Sequence, residues 1–175
     1  LPTASSINLL VRNNHRNNFV SLTAPVHADA ERLFKWDNGF AWSYEGNITD
    51  SLKERVRKAG GNVTDATLRV SLGWYNYDDL DLHCDSPNGS IYFGNKAGIL
   101  DVDMNAFGTH SREPVENMAF KTLRDGTYRF AVNQFARRET ADVGCVIQVE
   151  YDGKVTNYAQ SNAATGRKQV LQVEV

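Results

Sequence analysis

From residue 67 onward the chain alternates short apolar runs with turn signals, and this constrains its fold more than any other feature. The runs cover residues 68–74, 80–84, 90–93, 98–104, 116–120, 126–134, 143–151, 154–158 and 169–175. Between them stand Ser86-Pro87-Asn88-Gly89, Asp125-Gly126 and Asp152-Gly153, residue pairs whose backbones adopt tight hairpin turns at low cost. The spacing of the runs between turn signals is that of antiparallel strands. Eight or nine such strands with little helix predict an all-β, antiparallel, two-sheet β-sandwich, jelly-roll-like in type. In the run 126–134, Tyr128, Phe130 and Val132 share one phase and are expected in the core.

One clear helix is expected over residues 49–61. Ser51 and Glu54 fit a capping box, Leu52 and Val56 lie four apart on one face, basic residues fill the last turn, and Gly60-Gly61 ends it. Upstream, Asn13 to Asn18 is a polar turn between apolar runs 7–11 and 19–22, which predicts a hairpin. A second, aromatic hairpin is expected over residues 34–44 around Asp37-Asn38-Gly39. The expected organisation is therefore an N-terminal hairpin and aromatic segment (1–48), a helical linker (49–61) and the sandwich (62–175).

Within the sandwich, two stretches place carboxylates at every second position. In Asp78-Asp79-Leu80-Asp81-Leu82-His83, strand alternation puts Asp79, Asp81 and His83 on one face with Leu80, Leu82 and Cys84 on the other. In Leu100-Asp101-Val102-Asp103-Met104-Asn105, the same rule puts Asp101, Asp103 and Asn105 outward. Aspartate is a poor strand former and like charges on neighbouring strands repel, so two such rows ask for a compensating partner. Calcium takes six to eight oxygens from carboxylates, amides and carbonyls. The expected Ca2+ ligands are Asp79, Asp81, Asp101, Asp103, Asn105 and Glu116. The competing expectation is a polar face neutralised by Arg112, Arg137 or Arg138.

Other chemistry is thinly represented. No Gly-x-Ser-x-Gly elbow, phosphate-binding loop or dinucleotide fingerprint is present. Paired aspartates, Asp81 and Asp103, leave a glycan-acting hydrolase as the alternative to a binding module. A formal charge of −2 gives no basic field for nucleic acid, and no apolar run approaches membrane-spanning length. A soluble protein is expected, with a protein or glycan ligand. Cys84 and Cys145 both fall on apolar strand phases, which suits two buried thiols and leaves a disulfide between them open.

The ordered series WYNYDDLDLHCDSPNGSIYFGNK, LDVDMNA, PVENMAF and DGTYRFAVNQF resembles the YfaP-type domain, a bacterial and phage β-sandwich family. The resemblance spans a little over half the chain, from residue 68 to about 158. It implies that residues 79–83, 100–103 and Glu116-Asn117 belong to a family pattern, and that the chain is phage-encoded or bacterial, as part of a virion or acting in the host cytoplasm. The family brings no established activity. A non-catalytic binding or protein-interaction module with an acidic edge for calcium or a basic partner is the leading expectation.

Overall fold

The computed structural model describes residues 19–23, 43–47, 51–141, 144–161 and 166–175. Strands β1 (Phe19–Thr23) and β2 (Ser43–Asn47) pair antiparallel in a two-stranded sheet. The expected partner of 19–22, residues 7–11, lies outside the described residues, as does most of the aromatic segment 34–44.

Nine further strands follow at the nine expected positions: β3 (Leu68–Gly73), β4 (Asp79–Ser86), β5 (Gly89–Ile91), β6 (Leu100–Asp103), β7 (Val115–Phe120), β8 (Thr127–Ala136), β9 (Cys145–Tyr151), β10 (Lys154–Gln160) and β11 (Gly166–Glu174). They form two antiparallel sheets, ordered β10-β9-β3-β7-β6 and β11-β8-β4-β5. This is the two-sheet sandwich that the strand spacing predicts. The inward residues of both sheets make one core in which Leu68, Val70, Leu72, Met118 and Ile147 of the first sheet meet Leu80, Leu82, Phe130 and Val132 of the second. Tyr128 and Phe130 each meet Phe120 edge-on, at 5.5 and 6.2 Å between ring centroids. Cys84 and Cys145 are both buried in this core, and burial pushes the Cys84 thiol up to about 12.

Helix α1 (Ser51–Lys58) lies against the outer face of the five-stranded sheet, where Leu52 and Val56 bury with Val102 and Val115 in a second, smaller cluster. The approach is close: a Cβ at Gly61 would fall 2.6 Å from both Val102 and Val56 side chains, and one at Gly73 would fall 2.5 Å from Leu52. Arg55 then ties the helix to the sheet by donating to the carbonyls of Trp74, Glu113 and Pro114, with its guanidinium 4.8 Å from the Tyr75 ring. Glu54 pairs with Arg57 and Lys58 one turn on. Beneath the same outer face, Arg69 bonds Glu150 at 3.0 Å and Gln148 at 2.6 Å, and Ser71 donates to Asn117. These buried polar groups satisfy one another, as burial demands.

Candidate functional site

Two β-bulges and one incomplete strand build the site. Strand β5 covers only residues 84–86 of β4, so among the described residues no strand lies beside the backbone edge of residues 79–83. On the other side of β4, Asp79 faces Ala136 and Leu80 faces Gln134, so Phe135 of β8 is an extra, unpaired residue. A bulged residue is pushed out of the ladder, and Phe135 is accordingly 65% exposed.

In β6 the extra residue is Asp101: Leu100 faces Met118, Val102 faces Asn117 and Asp103 faces Glu116. One inserted residue reverses the parity of everything after it. Leu100 therefore enters the main core while Val102 packs under the helix. Asp101 and Asp103, expected side by side, part company for the same reason. Asp101 accepts from the backbone amide of Asn62 and from the Asn117 amide at 2.8 Å each, on the helix side of the sheet. Asp103 turns with Glu116 towards the bare edge of β4.

There Glu116, 1% exposed, accepts a hydrogen bond from the Leu82 backbone amide, the group that a neighbouring strand would otherwise take. Asp79 and Asp81 of β4 are also buried, at 1% and 4% exposure, and Asp103 is nearly so. The expected outward acidic face is thus an enclosed cluster of four carboxyls from three strands. Compensation is partial. Arg138 is 3.5 Å from Asp79, Lys96 is 2.8 Å from Asp103, and the Asn133 amide donates to Asp81 at 3.1 Å. The other two candidate arginines turn elsewhere: Arg112 pairs with Glu139, and Arg137 donates to the carbonyls of Glu139 and Thr140.

Asp79 Oδ1 is buried without a hydrogen-bond partner, and Asp103 Oδ1 and Glu116 Oε1 are buried with no N–H donor, their two carboxyls lying within hydrogen-bond reach of each other. An unmet buried carboxylate oxygen costs more than an unmet neutral group, and its carboxyl responds by holding a proton. Burial, then the charges of Asp81 and Asp103, raise the Asp79 carboxyl from 3.8 to about 6, against the opposing pull of Arg138. Burial also raises Asp81, opposed by the Asn133 hydrogen bond. Glu116 is pushed well above the usual range, by burial first and then by Asp103 and Asp81.

Asp79, Asp81 and Asp103 form the acidic side of an open cavity of about 260 Å3. Phe93, Phe107 and Phe135 form its apolar side, with Lys96 at the margin. These phenyl rings are 47%, 91% and 65% exposed, half of the six exposed large hydrophobic side chains among the described residues. Phe93 and Phe135 stand 6.1 Å apart, and Tyr92 continues the aromatic row to a stacked contact with His83. The strand pattern gave Asp79, Asp81, Asp103 and Glu116. It missed Lys96 and Phe107, which lie between strands where no periodicity marks them, and it read Phe93 as the end of the strand run 90–93, whereas β5 ends at Ile91.

Two neighbours of the cluster serve the scaffold instead. Asn105, expected as a ligand, has φ of 66° and spends its amide on the Asp78 and Ser111 carbonyls and the Ser111 amide, closing the loop that carries Phe107. Asp78 accepts from the backbone amides of Arg138 and Glu139 and from Asn76 and Gln134. Burial alone would raise its carboxyl, but these donors together hold it below the ordinary value.

Among the described residues, no three His, Cys, Asp or Glu side chains stand ready as a metal cage. No helix there is long and apolar enough to cross a membrane. Comparison with protein-family models, curated proteins and solved structures returned no match.

Proposed function

We propose that this chain is a non-catalytic binding module whose pocket at the bare edge of β4 receives a positively charged group from a basic partner protein. The carrying observation is the pairing of under-compensated buried carboxyls with three exposed phenyl rings in one cavity. A folded domain that leaves buried carboxylate oxygens unmet gains free energy from any cation that reaches them. Exposed aromatic rings grouped at one place mark an interaction surface. The resemblance to the YfaP-type domain and a phage or bacterial role, in a virion or the host, belong to this same reading; the ordered motifs and the sandwich support it.

Calcium is the second reading, favoured by the clustered carboxylate oxygens, which are hard donors of the kind Ca2+ prefers. Against it stand the phenyl walls, which offer a metal ion no ligand, and two cations already on the cluster. The hydrolase alternative, with Asp81 and Asp103 as its carboxyls, meets the difficulty that Lys96 holds Asp103 in an ion pair.

The test is calorimetric titration of a short lysine- and arginine-bearing peptide against its glutamine counterpart, on the native chain and on Asp81→Asn. Binding of the basic peptide alone, weakened by Asp81→Asn, is expected. Equal binding of both peptides, or of neither, contradicts the reading. Thermal unfolding in Ca2+, Mg2+ and chelator decides the calcium reading in parallel: at a hundredfold excess over its dissociation constant, a specific ion adds about 2.7 kcal/mol.

A further inference from the structure

We propose that the group this pocket selects is a primary alkylammonium, a lysine side chain of the partner, and that the chain's own Lys96 is the intramolecular place-holder it displaces. The inference rests on the cation-binding reading and specifies its ligand.

The free oxygens decide between lysine and arginine. Asp79 Oδ2 faces Arg138, Asp81 Oδ2 takes the Asn133 amide and Asp103 Oδ2 takes Lys96. Each carboxyl thus offers its second oxygen singly; that of Asp79 is buried and unpaired, while the Asp103 carboxyl also meets that of Glu116. A guanidinium binds best through two parallel N–H bonds to both oxygens of one carboxylate, and no such two-oxygen edge is left. An ammonium carries three diverging N–H donors and is suited to single oxygens from separate carboxyls. Asp79, itself 1% exposed and lining the cavity, supplies the buried unpartnered oxygen that a simple acidic surface lacks.

The rest of the cavity suits the stem. Phe93, Phe107 and Phe135 offer apolar surface to a methylene chain and ring faces to the charge at its end. At about 260 Å3 the cavity lies at the lower limit of the roughly 300–1,000 Å3 of small-molecule sites and has room for an inserted side chain.

Lys96 shows an ammonium already seated. Its Nζ is 2.8 Å from Asp103 while its side chain is 50% exposed, so the pair is screened by water and exchanges readily. An incoming lysine takes over the position and Lys96 swings to solvent.

The probes are hexylammonium, hexanol, propylguanidinium and Ca2+, each titrated into the native chain and followed by amide chemical shifts. Hexylammonium is expected to shift the resonances of residues 79–83, 96 and 135, with hexanol and propylguanidinium weaker by about fivefold or more. Phe135→Ala, at an exposed position that leaves folding intact, is expected to weaken hexylammonium about threefold. Lys96→Met is expected to tighten it by a similar factor, because the competing ammonium is gone. If propylguanidinium shifts these resonances and hexylammonium does not, the lysine assignment falls and the basic-partner reading stands; if Ca2+ alone shifts them, both fall to the calcium reading. If none of the cations shifts them, both fall. Hexylammonium binding unchanged in Lys96→Met overturns the place-holder role alone.

Discussion

The Glu116 carboxylate, on the inner face of β7, accepts the backbone amide of Leu82 in β4, a hydrogen bond that crosses from one sheet of the sandwich to the other. A bare strand edge presents unpaired amides, and natural sheets cover or charge such edges. Here a buried acid stands in for the missing strand, and its carboxyl also meets that of Asp103.

Glu116→Ala leaves the Leu82 amide buried and unpaired, which is expected to destabilise the domain by about 2–3 kcal/mol. Glu116→Gln keeps an acceptor for that amide and removes a charge, so it is expected to match or exceed native stability at pH 7.5. Urea unfolding of both variants checks this; equal loss in both would show that the carboxylate charge, and not its acceptor role, holds the edge.

The carboxyl cluster's contribution to stability should fall as pH rises from 4 to 7.5, opposed by His83, whose value burial lowers and which adds stability as pH rises through 6.5. A carboxyl whose folded value is raised binds its proton more tightly in the folded state, so its favourable contribution is complete below the unfolded value and is lost as pH rises through the folded one. For Asp79 that window runs from 3.8 to about 6, and Glu116, raised further, extends it upward. Asp79→Asn is expected to flatten the dependence and to raise the unfolding midpoint at pH 7.5 by about 2–4 °C. A midpoint that rises steadily from pH 4 to 7.5 in the native chain would contradict the buried-cluster account.

Asp78 and Asp101 separate scaffold from site. Asp78→Ala strips the acceptor from two backbone amides and two side-chain amides, with an expected loss of about 2–4 kcal/mol. Asp101→Ala, on the helix side of the sheet, is expected to lower stability by about 1 kcal/mol and to leave binding of the basic peptide unchanged. A loss of binding in Asp101→Ala without loss of stability would place it in the site after all.

The nine strands were legible because each carries its own alternation and is bounded by its own turn residues. So were the buried helix face of Leu52 and Val56 and the core phase of Tyr128, Phe130 and Val132. What alternation could not show is where a partner strand forces a bulge. Asp101 and Phe135 are extra residues only relative to β7 and β4, and the parity of Asp103 follows from the first of them. Polar side chains at strand positions also read as outward by default. Asp79, Asp81 and Glu116 are enclosed because β5 is short and β4 lies open to the β6–β7 edge, a relation between elements far apart in the chain. Lys96 and Phe107 were illegible for a simpler reason: loop residues carry no period.

The most direct test of the account is amide chemical-shift mapping of the lysine- and arginine-bearing peptide on the native chain at pH 7.5. Shifts gathered on residues 79–83, 93–96, 103 and 135, and lost in Asp81→Asn while that variant stays folded, are the predicted result. Shifts gathered elsewhere on the sandwich, or none at saturating peptide, would contradict it.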